Sequence, residues 1–63
     1  MLKINASNAR KGDLIKLEDK YVEIKKISRG FDGGIFAFTE DNDSGYLIKE
    51  GTIEMYDIFR KEE

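Results

Sequence analysis

The run Glu40-Asp-Asn-Asp-Ser-Gly45 gathers carboxylates, an amide and a hydroxyl within six residues, the oxygen donors that a hard divalent cation takes. Counted from Asp41, though, glycine falls at the fifth place instead of the sixth, and the twelfth place is Thr52, where a calcium loop needs a bidentate glutamate. The stretch reads instead as a hairpin turn. Carboxylates in an exposed turn have nothing to raise a pKa, so acid–base hydrolysis by a carboxylate pair is not implied. The chain has neither histidine nor cysteine, which removes the common nucleophile–base pairs, thiolate zinc sites and disulfides. Gly30-Phe-Asp-Gly-Gly34 has no following helix to present to a phosphate, so it is not a dinucleotide fingerprint. The expectation is a non-enzymatic protein with no metal and no cofactor.

Two groups of residues are suited to binding. The first is basic and aromatic: Lys16, Tyr21 and Lys25 on the outer face of a first hairpin, Arg10, Lys11, Lys26 and Arg29 at its ends, and Phe31 in the next loop. Phosphate neutralisation with base stacking is what single-stranded RNA or DNA requires. A sequence pI near 5.1 opposes non-specific affinity of that kind. The second group is apolar: Ile35, Ala37 and Leu47 on the expected outer face of a second hairpin, with Phe31 beside them. Such a face is covered by a partner protein, by self-association or by the chain's own C-terminal segment.

The elements that must carry these residues are strands. In residues 13–25, a turn at Asp19-Lys20 pairs Leu17 with Val22 and Ile15 with Ile24, so four apolar side chains share one face. Val22, Ile24 and Ile27 break strict alternation, and a bulge near Lys25-Lys26 restores Ile27 to the buried side. In residues 34–49, a turn over 41–45 with even pairing sums puts Phe36, Phe38, Tyr46 and Ile48 in the core and Ile35, Ala37, Thr39, Leu47 and Lys49 outside. Leu2 and Ile4 alternate as in an initial strand. Residues 52–59 supply a last strand, with a short 3₁₀ turn near Tyr56 or another bulge, and residues 60–63 read as a frayed tail. Five short strands in this order predict an all-β single domain over 1–63, a small SH3-like or OB-like barrel.

With 63 residues the chain has little interior; a domain of this size buries only about 60% of its unfolded surface. Its stability should be modest, and a bound partner or oligomerisation would add to it. The N-terminus has no long apolar region and no stretch approaches the roughly 20 apolar residues of a membrane span, so a soluble, cytoplasmic protein is expected. Charge is uneven. Residues 1–29 hold eight basic groups against four acidic, whereas residues 30–63 hold three basic against nine acidic. That polarity favours oriented docking on a charged partner.

The run Ala9-Arg-Lys-Gly-Asp-Leu-Ile-Lys-Leu-Glu-Asp-Lys-Tyr-Val-Glu-Ile-Lys-Lys-Ile27 resembles the Gly-Asp turn, hairpin and Tyr-x-Val strand of SH3-like barrels of the KOW and translation elongation factor P type. The resemblance covers about a third of the chain and implies a five-stranded barrel that binds RNA, ribosomal components or transcription machinery. The loop Ser28-Arg-Gly-Phe-Asp-Gly-Gly34 has no lysine where elongation factor P presents a modified one, so that activity is not implied. In composition the chain also resembles the small accessory proteins of bacteria and their phages, many of which bind and redirect a host factor. Two functions are therefore expected: docking on a protein through Phe31, Ile35, Ala37 and Leu47, or binding single-stranded nucleic acid through the basic set.

Overall fold

The computed structural model describes residues 1–62, which form eight β-strands and a 3₁₀ helix at Ala6–Asn8. The strands are β1 (Leu2–Ile4), β2 (Leu14–Lys16), β3 (Tyr21–Glu23), β4 (Lys26–Arg29), β5 (Ile35–Thr39), β6 (Asn42–Glu50), β7 (Ile53–Glu54) and β8 (Asp57–Arg60). They make two four-stranded antiparallel sheets, in the orders β1-β8-β2-β3 and β4-β5-β6-β7. The fold is all-β, as expected, but these are two sheets and not the five-stranded closed barrel. Two segments serve both sheets. Residues 21–29 supply β3 to the first sheet and β4 to the second, and residues 53–60 supply β7 to the second and β8 to the first. The break expected as a bulge near Lys25 is the passage between sheets, where Ile24 is buried and the Lys25 N–H donates to the Phe38 carbonyl at 2.7 Å.

The first hairpin keeps its predicted faces but not its register. Its turn residues are Glu18 and Asp19, closed by Leu17 N–H to the Lys20 carbonyl at 2.8 Å, and Ile15 pairs with Val22 and Lys16 with Tyr21. Ile24 instead faces Gly12 and Asp13 together: it donates to the Asp13 carbonyl at 2.8 Å and accepts from the Gly12 N–H at 2.9 Å. Gly12 has φ of +97°, the left-handed conformation of a glycine bulge. A slide of one pair moves each residue by two and leaves every side chain on its face, so hydrophobic pattern alone does not choose between the registers.

The second hairpin keeps its expected faces on β6, where Ile48 is buried and Tyr46 packs against the core, but reverses them on β5. Its turn is at Glu40-Asp41, with Thr39 opposite Asn42, Ala37 opposite Tyr46 and Phe36 opposite Leu47. Ile35, Ala37 and Thr39 therefore point inward, at 5%, 0% and 5% exposure, while Phe36 stands outside at 40%. Two features hold this arrangement. The Thr39 hydroxyl donates to the Asp41 carboxylate, tightening the turn, and register shifts between Ile35 and Phe36 and between Ala37 and Thr39 absorb the extra residues of β6. Gly45 lies beneath the Phe38 ring with φ of +83°, and a Cβ there would stand 2.9 Å from a ring carbon. The glycine predicted as turn material is instead the seat of an aromatic ring.

Between the sheets the fully buried large side chains are Ile15, Ile24, Ile48 and Ile58, packed with Ala6, Ala9, Ile35 and Ala37. The core is aliphatic and narrow, and the phenylalanines assigned to it lie outside. The C-terminal segment does not lie over the outer face of β5 and β6. Met55 N–H donates to the Ile48 carbonyl at 2.9 Å, the chain bends at Tyr56, and β8 inserts between β1 and β2 with Ile58 opposite both Ile4 and Ile15. No 3₁₀ turn forms near Tyr56; the 3₁₀ helix is the N-terminal one, which buries Ala6 completely. Arg60, assigned to a frayed tail, closes β8 with an ion pair to Asp13 at 2.8 Å, and the end of the predicted tail, Glu63, lies outside the described residues.

Candidate interaction surfaces

The second sheet presents Phe36, Phe38 and Leu47 outward and keeps Ile35, Ala37 and Ile48 inward. Ser28, Phe36 and Leu47 are in register across β4, β5 and β6, with Lys26 and Phe38 one step along the same face. The Lys26 ammonium stands 5.7 Å from the Phe38 ring centroid, a distance at which the ring face attracts a cation. At one end of this face is the loop of residues 30–34. Gly30 N–H donates to the Gly34 carbonyl at 2.9 Å, and Gly34 N–H donates to Asp32 Oδ1 at 3.0 Å, so the loop satisfies its own backbone. A Cβ at Gly34 would come within 3.9 Å of Leu47, which sets the loop's base against the apolar face. At the loop's tip Phe31 is fully exposed. Of the four expected docking residues, Phe31 and Leu47 belong to this surface. Ile35 and Ala37 are on the opposite side of the same sheet, sealed in the core, because the hairpin parity is reversed. Phe36 and Phe38 take their place.

The basic set is divided. Lys16 and Tyr21 lie on the outer face of the first sheet, where the Lys16 ammonium is 5.4 Å from the Tyr21 ring and Tyr21 meets Phe59 edge to face at 5.7 Å. Lys25 is shared between Glu23 at 3.4 Å and Glu40 at 3.7 Å. Lys26 belongs to the second sheet. Arg29 donates to the carbonyls of Ser7 and Ala9 at 3.2 and 3.0 Å, tying the N-terminal segment to β4. Arg10 and Lys11 are exposed in the turn before β2.

Asp13 is the principal charged group of the interior edge, with a side chain only 4% exposed. Arg60 grips it with two parallel bonds, Nε to Oδ1 and Nη2 to Oδ2, both 2.8 Å, and Oδ2 also accepts from the Arg10 backbone N–H at 2.9 Å. The Arg60 hydrogen bonds hold the Asp13 carboxyl below its ordinary value against the opposing effect of burial, and Asp13 in turn raises Arg60. The sequence places Asp13 only in a turn motif, because nothing in its pattern links it to a residue 47 positions away. Asp41 is likewise lowered, first by the Thr39 hydroxyl and also by Lys20 at 3.7 Å. Among the described residues, no group of three or more carboxylates is placed to hold a metal ion.

A groove of about 400 Å³ opens between residues 16–18 and 54–57. Lys16 and Asp57 are the last partners of β2 and β8; beyond them β7 departs for the second sheet while β2 enters its turn, and the cleft lies where they diverge. No sequence signal marks it, since it is made by a bend at Tyr56. No helix among the described residues is long and apolar enough to cross a membrane. In comparisons with known proteins, no family model matches this chain, and neither do any curated protein or solved structure.

Proposed function

We propose that the protein is a non-enzymatic binding module that docks on another protein through the outer face of its second sheet, of the kind by which a bacterium or phage modulates a host factor. The observation that carries this reading is Phe31, a fully exposed aromatic ring on a self-satisfied loop at one end of the sheet whose outer face holds Phe36, Phe38 and Leu47. Exposing a large aromatic ring has no value to the fold, whereas aromatic anchors dominate protein interfaces. The SH3-like relationship belongs to the same proposal, supported by the two segments that each serve both sheets.

The test is affinity capture from bacterial lysate with the wild type beside Phe31→Ala and Phe36→Ser. Loss of an aromatic anchor of about 2 kcal/mol weakens capture by roughly 30-fold, with the melting temperature preserved. Equal capture by all three proteins refutes the surface. A second reading, single-stranded RNA or DNA binding, is favoured by the Lys16, Tyr21 and Phe59 cluster on the first sheet. Under that reading Lys16→Glu with Tyr21→Ala weakens binding of a fluorescent oligouridylate at low salt; unchanged binding eliminates it.

A further inference from the structure

The groove between residues 16–18 and 54–57 has a composition that selects one kind of guest. Its apolar lining is Leu17 and Tyr56, both half-buried, and Met55, which is 51% exposed despite being apolar. Around this lining stand Glu18, Glu54 and Asp57, opposed by the single ammonium of Lys16. The carboxylates are only partly engaged. Glu54 accepts the Ala6 N–H on Oε1 alone. Asp57 meets Lys3 at 3.5 Å, but both side chains are more than half exposed, at 57% and 59%, so solvent screens that pair. Glu18 has no ion-pair partner among the described residues.

We infer that this groove receives a lysine or arginine side chain from an extended segment of a partner protein. Such a side chain has the two chemistries the groove offers together, an aliphatic stem for Leu17, Met55 and Tyr56 and a cationic head for Glu18 and Glu54. A neutral apolar guest would strip water from the carboxylates without compensating them, and an anionic guest would be repelled. Charge complementarity thus decides the class of occupant. The groove is separate from the outer face of the second sheet, so this inference stands or falls without the docking surface proposed above.

The test is a ¹H–¹⁵N titration with acetyl-Leu-Lys-Leu-amide, run beside the same peptide with norleucine or glutamate at the centre. The lysine peptide should perturb the amides of residues 17, 18 and 54–57 saturably at up to about 10 mM, with the norleucine and glutamate peptides binding several-fold more weakly. Glu18→Gln, in an exposed turn and free of packing duties, should weaken the lysine peptide by about threefold while leaving the melting temperature unchanged. Phe31→Ala should leave the titration unaltered. The inference is overturned if no shifts appear, if norleucine binds as well as lysine, if the shifts map to Phe36 and Leu47, or if Glu18→Gln has no effect. Light scattering supplies a last arm: a dimer that Glu18→Gln dissociates assigns the groove to a second copy of the chain and overturns the heterologous segment.

Discussion

Replacing Asp13 by asparagine should be among the most damaging isosteric changes available to this chain. The carboxylate is 4% exposed and takes two arginine bonds of 2.8 Å and a backbone bond of 2.9 Å. An asparagine amide can satisfy only one of the two parallel donors and turns its own N–H₂ toward the other. Hydrogen bonds to charged groups contribute about 1.5–3 kcal/mol each, and breaking a wholly buried pair costs about 3–5 kcal/mol. The arginine here is 31% exposed and can rehydrate, so the expected loss is about 2–3 kcal/mol. A 63-residue domain has only about 3–9 kcal/mol in total, and at about 4–8 °C per kcal/mol the melting temperature should fall by about 10–20 °C. Thermal circular dichroism at pH 7 measures it. Acid provides an independent reading: because the folded carboxyl titrates below its ordinary value of 3.8, the unfolded chain takes up the proton first. Its stabilisation is therefore complete above the ordinary value and is lost as pH falls through the lower folded one. Wild type should lose melting temperature more steeply than Asp13→Asn below about pH 4. An asparagine variant within about 2 °C of wild type, or with the same acid profile, refutes the assignment of Asp13 and Arg60 as the clasp between the first turn and the last strand.

Ala37→Leu should destabilise by about 1–3 kcal/mol through overpacking, whereas Phe36→Ser should change stability by less than about 1 kcal/mol; urea denaturation showing the reverse order would restore the hairpin parity expected from sequence. Gly12→Ala and Gly45→Ala both force an alanine into positive φ at about 1 kcal/mol, but only the second meets a ring, at 2.9 Å, so it should cost about 1 kcal/mol more, and equal denaturation midpoints would contradict that contact. Ile58→Ala, at the centre of the core, should cost about 2–5 kcal/mol, and near-wild-type hydrogen-exchange protection of β1 and β2 in this variant would show that β8 is not their common partner.

Alternation made the strands legible, and the first hairpin's inward face with Ile15, Val22 and Ile24 follows from it directly. In the second hairpin Tyr46 and Ile48 face inward as alternation implies, but the faces of β5 were not legible, for a specific reason. Residues 35–38 alternate isoleucine, phenylalanine, alanine, phenylalanine, so either face passes for the interior, and the choice rests on where the turn begins. Size would favour the phenylalanines, but the space between the sheets is filled by four isoleucines and takes only Ala37 from the middle of β5. The docking residues inherited the error: Ile35 and Ala37 moved inside and Phe36 and Phe38 came out, while Phe31, placed by its glycine loop and not by parity, stayed on the surface. The groove and the Asp13–Arg60 pair were illegible because each joins residues about 40 or more positions apart through a bend that has no composition of its own.

In the first sheet β8 lies between β1 and β2, so the last strand of the fold is the one that joins the first two. During synthesis the ribosome emits β1 and β2 long before the partner that pairs with both. Ile15 then waits without Ile58, its neighbour across the strands. The first sheet must therefore await release of residue 60, and a nascent chain stalled short of that point displays Ile4 and Ile15 to whatever chaperone is near.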